Sequence, residues 1–140
     1  MLAIAEYDTS PKLKKLRDAK EFIFVVSHDP LRKRVLSKVG KKFRFNNEQF
    51  AEIAGVNVRT FQRQSPTTRI SVMASENTMR LAELYKTGMT TFDKDELSFV
   101  NWLNSNVPAL GNRKPIEMIT SGIGAEMVKE ELLRMEYGVI

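Results

Sequence analysis

The stretch from Asn47 to Gln64 constrains the fold of this chain more than any other. Asn46 is a helix-capping residue type, and Phe50, Ile53 and Ala54 follow at helical spacing, facing inward. Gly55 then breaks the pattern with a residue that takes left-handed backbone at no steric cost. Asn57 caps a second short helix, Val58 to Arg63, and Pro66 closes the region. Ala51 is small, which lets the second helix cross close to the first. Val56, Val58 and Phe61 plug the angle between them. Two short helices around a glycine turn make a helical corner, either a helix-turn-helix or an ordinary corner of a bundle.

The rest of the chain is also helical in pattern. No alternating run sits beside an Asn-Gly or Asp-Gly hairpin turn. Leu13, Leu16 and Lys20 lead into the apolar run Phe22 to Val26, which reads as a buried segment. Pro30 opens a helix with Leu31, Val35, Leu36 and Val39 on one face, stopped by Gly40. Ser75 is expected to cap a helix through Met79, Leu81, Ala82, Leu84 and Tyr85, which Gly88 ends or kinks. Asp93, Asp95 and Glu96 suit the positive start of a helix through Leu97, Val100 and Leu103. Asn106 to Lys114 reads as a loop, Pro115 to about Gly122 as a short helix, and Val128, Leu132 and Met135 as the inner face of a last helix ending at Gly138. The expectation is an all-α fold of six to eight helices.

With 140 residues the chain has room for one domain or two very small ones. It has no Cys and one His, which excludes a disulfide framework, a cysteine zinc site, a thiol nucleophile and a multi-histidine metal site. No apolar run approaches the roughly 18 residues of a membrane span, and no signal peptide is visible, so a soluble cytoplasmic protein without a membrane partner is expected. The net charge of +5 is unevenly placed: +7 over residues 1–45, +1 over 46–87 and −3 over 88–140. Such asymmetry suits an anion-binding end, or simply a solvated lysine face.

On the second helix of the corner, Asn57, Arg59, Thr60, Gln62 and Arg63 are the candidate DNA-binding residues. Arginine matches guanine, glutamine matches adenine, and threonine and arginine grip phosphates. Helix-turn-helix proteins read paired half-sites, so operator DNA and a homodimer are the expected partners.

From Arg59 onward the chain resembles antitoxins of the Xre/MbcA/ParS type. The residues that carry the resemblance are Arg59-Thr60-Phe61-Gln62-Arg63, Ile70-Ser71 and Ser75 to Leu84; then Trp102-Leu103, Pro108-Ala109-Leu110-Gly111 and Pro115-Ile116-Glu117; then Gly124, Val128, Leu132 and Met135 to Val139. The match spans about residues 47–140, and more loosely from about residue 30. Phe61 stands where the family usually carries Leu, and Gln64-Ser65 where a further basic residue is common; both leave the operator sequence open. The resemblance implies an N-terminal extension or first helix over 1–28, an Xre-like helix-turn-helix DNA-binding and dimerisation domain over 29–87, and a small helical toxin-binding domain over 88–140. It implies a cognate RES-domain, NAD-degrading toxin encoded in the same operon, its active site blocked by the antitoxin's C-terminal end, and repression of that operon. The toxin-binding residues it implies are Arg80, Arg113, Glu136, Tyr137, Gly138, Val139 and Ile140.

Read as residues, these positions keep simpler alternatives. Trp102 helps build a small core or contacts a partner. Arg80 pairs with a toxin or with Glu76 or Glu83 on its own helix. The apolar end frays or inserts into a partner's cleft. No cofactor, metal site or enzymatic activity is expected. His28-Asp29 lacks a matching nucleophile, no Gly-rich phosphate loop is present, and Asp93, Asp95 and Glu96 do not have the spacing of a calcium loop. The competing function is a stand-alone helix-turn-helix transcriptional regulator whose C-terminal half only dimerises or senses a ligand.

Overall fold

The computed structural model describes residues 1–138. Among these, nine α-helical segments and two short 3-10 turns account for the regular structure, and no strand is present beyond two isolated bridges, Arg32 to Arg69 and Val107 to Arg113. The all-α expectation holds, with more and shorter helices than the spacing suggested. The chain separates into two compact units, Met1–Glu83 and Leu84 onward.

In the first unit a 3-10 turn, Ala3–Glu6, precedes α1 (Pro11–Lys14) and α2 (Ala19–His28). The break between the helices arises at Asp18, whose side chain accepts the Glu21 N–H and so starts α2 afresh. The apolar run on α2 is only partly buried: Phe22 and Val26 are enclosed, while Phe24 is 71% exposed. With about 3.6 residues per turn, Phe22 and Val26 share one face while Phe24, two positions from each, lies on the opposite one, which corrects the buried-segment expectation.

Next come α3 (Lys33–Lys42), α4 (Asn47–Ala54) and α5 (Val58–Arg63). Val35, Leu36 and Val39 are buried, as the spacing predicts. Gly40, however, does not stop α3. It lies inside the helix, where a Cβ would collide with the Phe50 ring, so its role is close packing against α4. A capping box at Asn46 and Gln49 opens α4. Gly55 ends it at φ +74°, in the left-handed region.

The long helix α6 (Val72–Thr91) carries the division between units within its length. Its start lies a turn earlier than expected. Ser71, not Ser75, accepts the Ala74 N–H, and Ser75 is fully buried, accepting the Leu31 N–H at 3.0 Å. Gly88 likewise sits within the helix, against the Phe99 ring.

The second unit contains α7 (Glu96–Leu103), a 3-10 turn (Pro108–Leu110), α8 (Pro115–Met118) and α9 (Gly122–Tyr137). Asp95 caps α7 and Ser121 caps α9. Phe99, Leu103, Ile119, Val128 and Leu132 are almost wholly buried. Trp102 is half-buried and lies 6.0 Å from Phe92 and 6.4 Å from Phe99, ring centre to ring centre. It is part of an aromatic cluster at the edge of the unit's core, partly open to solvent.

Candidate functional site

The corner made by α4 and α5 is built from the inside out. Phe61 is buried and stacks on Phe50 at 5.7 Å, and Phe50 meets Phe45 edge-on at 5.8 Å. Val56 N–H donates to the Ala51 carbonyl, which tightens the turn around Gly55. With Phe61 turned in, the helical period turns Arg59, Thr60, Gln62 and Arg63 out, and all four are exposed. Asn57 is exposed as well, with its Oδ1 engaged by the Thr60 N–H at 2.8 Å. The five candidate DNA-binding residues therefore share one short, capped helix.

A residue that the local pattern did not reveal holds the far end of α5. Lys33 Nζ donates to the Phe61 carbonyl at 2.5 Å and to the Gln64 carbonyl at 2.8 Å, and lies 4.4 Å from the centre of the Phe61 ring. A cation at a helix C-terminus satisfies the orphan carbonyls and the negative end of the helix dipole together. The backbone adds to this tie: Lys33 N–H donates to Thr68 and Arg34 N–H to Pro66. No sequence spacing marks Lys33, because its partners lie about thirty residues away.

The other candidate residues are dispersed. Arg80 is half-buried on α6, in the first unit, and its Nη1 donates to Asn77 Oδ1 at 3.2 Å. In the second unit, Arg113 Nε donates to the Leu110 carbonyl at 3.0 Å and Val107 N–H to the Arg113 carbonyl, so Arg113 shapes the loop that carries it. Glu136 and Tyr137 are exposed on the last turn of α9, and Gly138 caps that helix at φ +64°. Val139 and Ile140 lie outside the described residues. Leu133 and Tyr137 line a groove with Glu130 and Arg134 along α9.

The acidic residues that invite an enzymatic reading have structural partners. Asp29 is engaged by Lys12 and Arg69, and His28 Nδ1 lies 2.9 Å from Ser27 Oγ. Asp95 accepts from the Ser98 N–H and hydroxyl, which hold its carboxyl below the usual range. Burial, followed by the Glu96 charge, pushes the Tyr85 hydroxyl up. No group of three or more potential metal ligands occurs among the described residues. Among them, too, no helix is long and apolar enough to cross a membrane.

In class, this is a two-unit helical protein, with an exposed polar and basic helix in one unit and a long terminal helix with an exposed apolar side in the other. A family model, the antitoxin Xre/MbcA/ParS C-terminal toxin-binding domain, matches residues 88–138. The matched span contains the Trp102-Leu103 and Pro108 to Gly111 stretches that carry the resemblance. A chain from the crystal structure of the M. tuberculosis MbcT-MbcA toxin-antitoxin complex has a similar fold. The likeness covers 75% of this chain and 93% of that one, at 19% identity and a TM-score of 0.52. No curated protein matches this chain.

Proposed function

We propose that this chain neutralises a cognate toxin through residues 88–140 and represses its own operon through a DNA-binding, dimerising domain over residues 29–87, with residues 1–28 as an N-terminal extension. The observation that carries the reading is the match of residues 88–138 to an antitoxin toxin-binding domain. The partner is an RES-domain, NAD-degrading toxin from the same operon, and the segment Glu136 to Ile140 enters its active site, with Arg80 and Arg113 as further contacts. The exposed end of α9 supports this role, since Tyr137 is 73% exposed and no part of the unit's core. The α4–α5 corner is read as a helix-turn-helix, with Asn57, Arg59, Thr60, Gln62 and Arg63 as the residues facing operator DNA. Support comes from the exposure of all five on one capped helix. A homodimer places two such helices on paired half-sites. The chain acts by occupying surfaces in the cytoplasm, without catalysis of its own.

Co-expression with the adjacent toxin gene tests the inhibitory half. Growth and cellular NAD should be restored by the full chain, and failure of rescue would reject the proposal. The competing stand-alone regulator has no toxin to neutralise, so the same assay separates the two. For the DNA half, Arg59→Ala with Arg63→Ala should weaken binding to the promoter region and lower its salt slope by about one for each lost phosphate contact. Unchanged binding in a gel shift would move the DNA surface elsewhere.

A further inference from the structure

The basic excess of the first 45 residues is concentrated on α3. From Arg32 to Arg44 there are seven Lys and Arg and no Asp or Glu. Several of these have structural work. Lys33 caps α5, and Arg32 Nη1 donates to the Thr67 carbonyl. Lys41 and Lys42 lie in the last turn of α3, where cations suit the helix dipole.

Arg34 and Lys38 have no such account. Both are exposed, and neither side chain has a hydrogen bond or ion pair among the described residues. Asp8 and Asp29 line the same cavity as Arg34, but Asp29 is engaged by Lys12 and Arg69, and Asp8 accepts the Ser10 N–H. Arg34 also stands in the first turn of its helix, where the dipole disfavours a cation and where the turn itself holds no acid. Arg34, Lys38 and Lys41 recur at i, i+4 and i+7, opposite the buried face of Val35, Leu36 and Val39, so like charges stack along one outer face. At Arg34 and Lys38 this arrangement works against the helix that bears it. An anionic surface with charges at regular intervals would compensate for it.

We infer that the outer face of α3, through Arg34, Lys38 and Lys41, is a second DNA-contacting surface that grips the phosphate backbone beside the site read by α5. This rests on the helix-turn-helix reading above. Two observations favour duplex DNA as the occupant. The stripe is about 10 Å long at the rise of an α-helix, a length over which one strand of B-DNA presents about three phosphates along its axis. The stripe is also continuous with α5: the first turn of α3 is bonded to the last turn of α5 and to the loop after it, through Lys33 and through Arg34 N–H to the Pro66 carbonyl at 3.0 Å. These contacts position the protein and carry no base information, so the stripe sets affinity and register while α5 sets sequence.

The test compares the full chain with Arg34→Ala/Lys38→Ala/Lys41→Ala on two probes, the promoter duplex and a duplex of random sequence, between about 50 and 200 mM salt. The expected result is a salt slope smaller by about two to three on both duplexes, with the ratio between them unchanged. Arg34→Glu adds a readout independent of misfolding. It should raise the thermal midpoint, by relieving repulsion in the first turn of α3, while lowering affinity for both duplexes. Wild-type slopes in the triple variant, alongside loss of promoter binding in Arg59→Ala/Arg63→Ala, would overturn the α3 surface and leave the α5 reading standing. A wild-type chain that binds neither duplex would overturn both. An Arg34→Glu variant that is more stable yet binds DNA as well as wild type would also count against the stripe.

Discussion

At Gly124, general helix propensity and local packing point in opposite directions. This glycine lies in the first turns of α9 with no positive φ, a place where alanine ordinarily stabilises a helix by up to about 1 kcal/mol. A Cβ there would collide with the Met118 carbonyl and come within 2.9 Å of Ser121 Oγ, the atom that caps the helix. Backbone cannot yield as the end of a flexible side chain can, so overpacking, at about 1–3 kcal/mol, outweighs the propensity gain. Gly124→Ala should therefore lower stability, measurable as a fall in the urea midpoint; a rise would show that the α8–α9 turn relaxes freely. Gly40 and Gly88 follow the same logic. Each reads as a helix stop in the sequence because the ring it accommodates, from Phe50 or Phe99, comes from another helix and leaves no local mark.

At the scale of elements, what the sequence made legible was mostly what neighbours in the chain decide. The caps at Asn46 and Asn57, the left-handed end at Gly55 and the inward face of α3 all follow from residues within one or two turns of each other. The start of α6 lies a turn before the one Ser75 suggests, because two serines compete for the role and the buried one, Ser75, is held by a backbone donor on Leu31, 44 positions away. Lys33 was invisible for the same reason. Its substitution tests the element it holds: Lys33→Met keeps the aliphatic stem but abandons the Phe61 and Gln64 carbonyls, at about 1–2 kcal/mol. The expected signature is a lower thermal midpoint, and an unchanged one would mean that water replaces the ammonium at no cost.

The cap of α7 gives a pH-dependent prediction. The Asp95 carboxyl is held below its ordinary range by Ser98, so its contribution is present above the unfolded pKa and is lost as pH falls through the folded one. An Asp95→Asn variant caps without titrating. The stability gap between the two proteins should shrink as pH drops through the acid range. A gap that stays constant there would detach Asp95 from the acid response.

For the molecule as a whole, the uneven charge of the sequence runs parallel to the two proposed roles. The basic part carries α3 and α5, and the acidic part carries the segment that matches an antitoxin toxin-binding domain. The proposed roles of the two parts are separable because the end of α9 lies beyond the packed core. Leu132 is its last buried residue, while Glu136, Tyr137 and Gly138 are exposed. Deleting Tyr137 to Ile140 removes no buried side chain among the described residues. The truncated chain should thus keep its thermal midpoint within a degree or two, by the usual effect of surface changes, and should bind the promoter duplex as the full chain does. It should fail to rescue growth when the toxin is co-expressed. Loss of rescue together with loss of stability would reduce the tail to a folding element. Rescue at wild-type level would place toxin neutralisation on another face, for which the groove of Glu130, Leu133 and Arg134 is the next site to substitute.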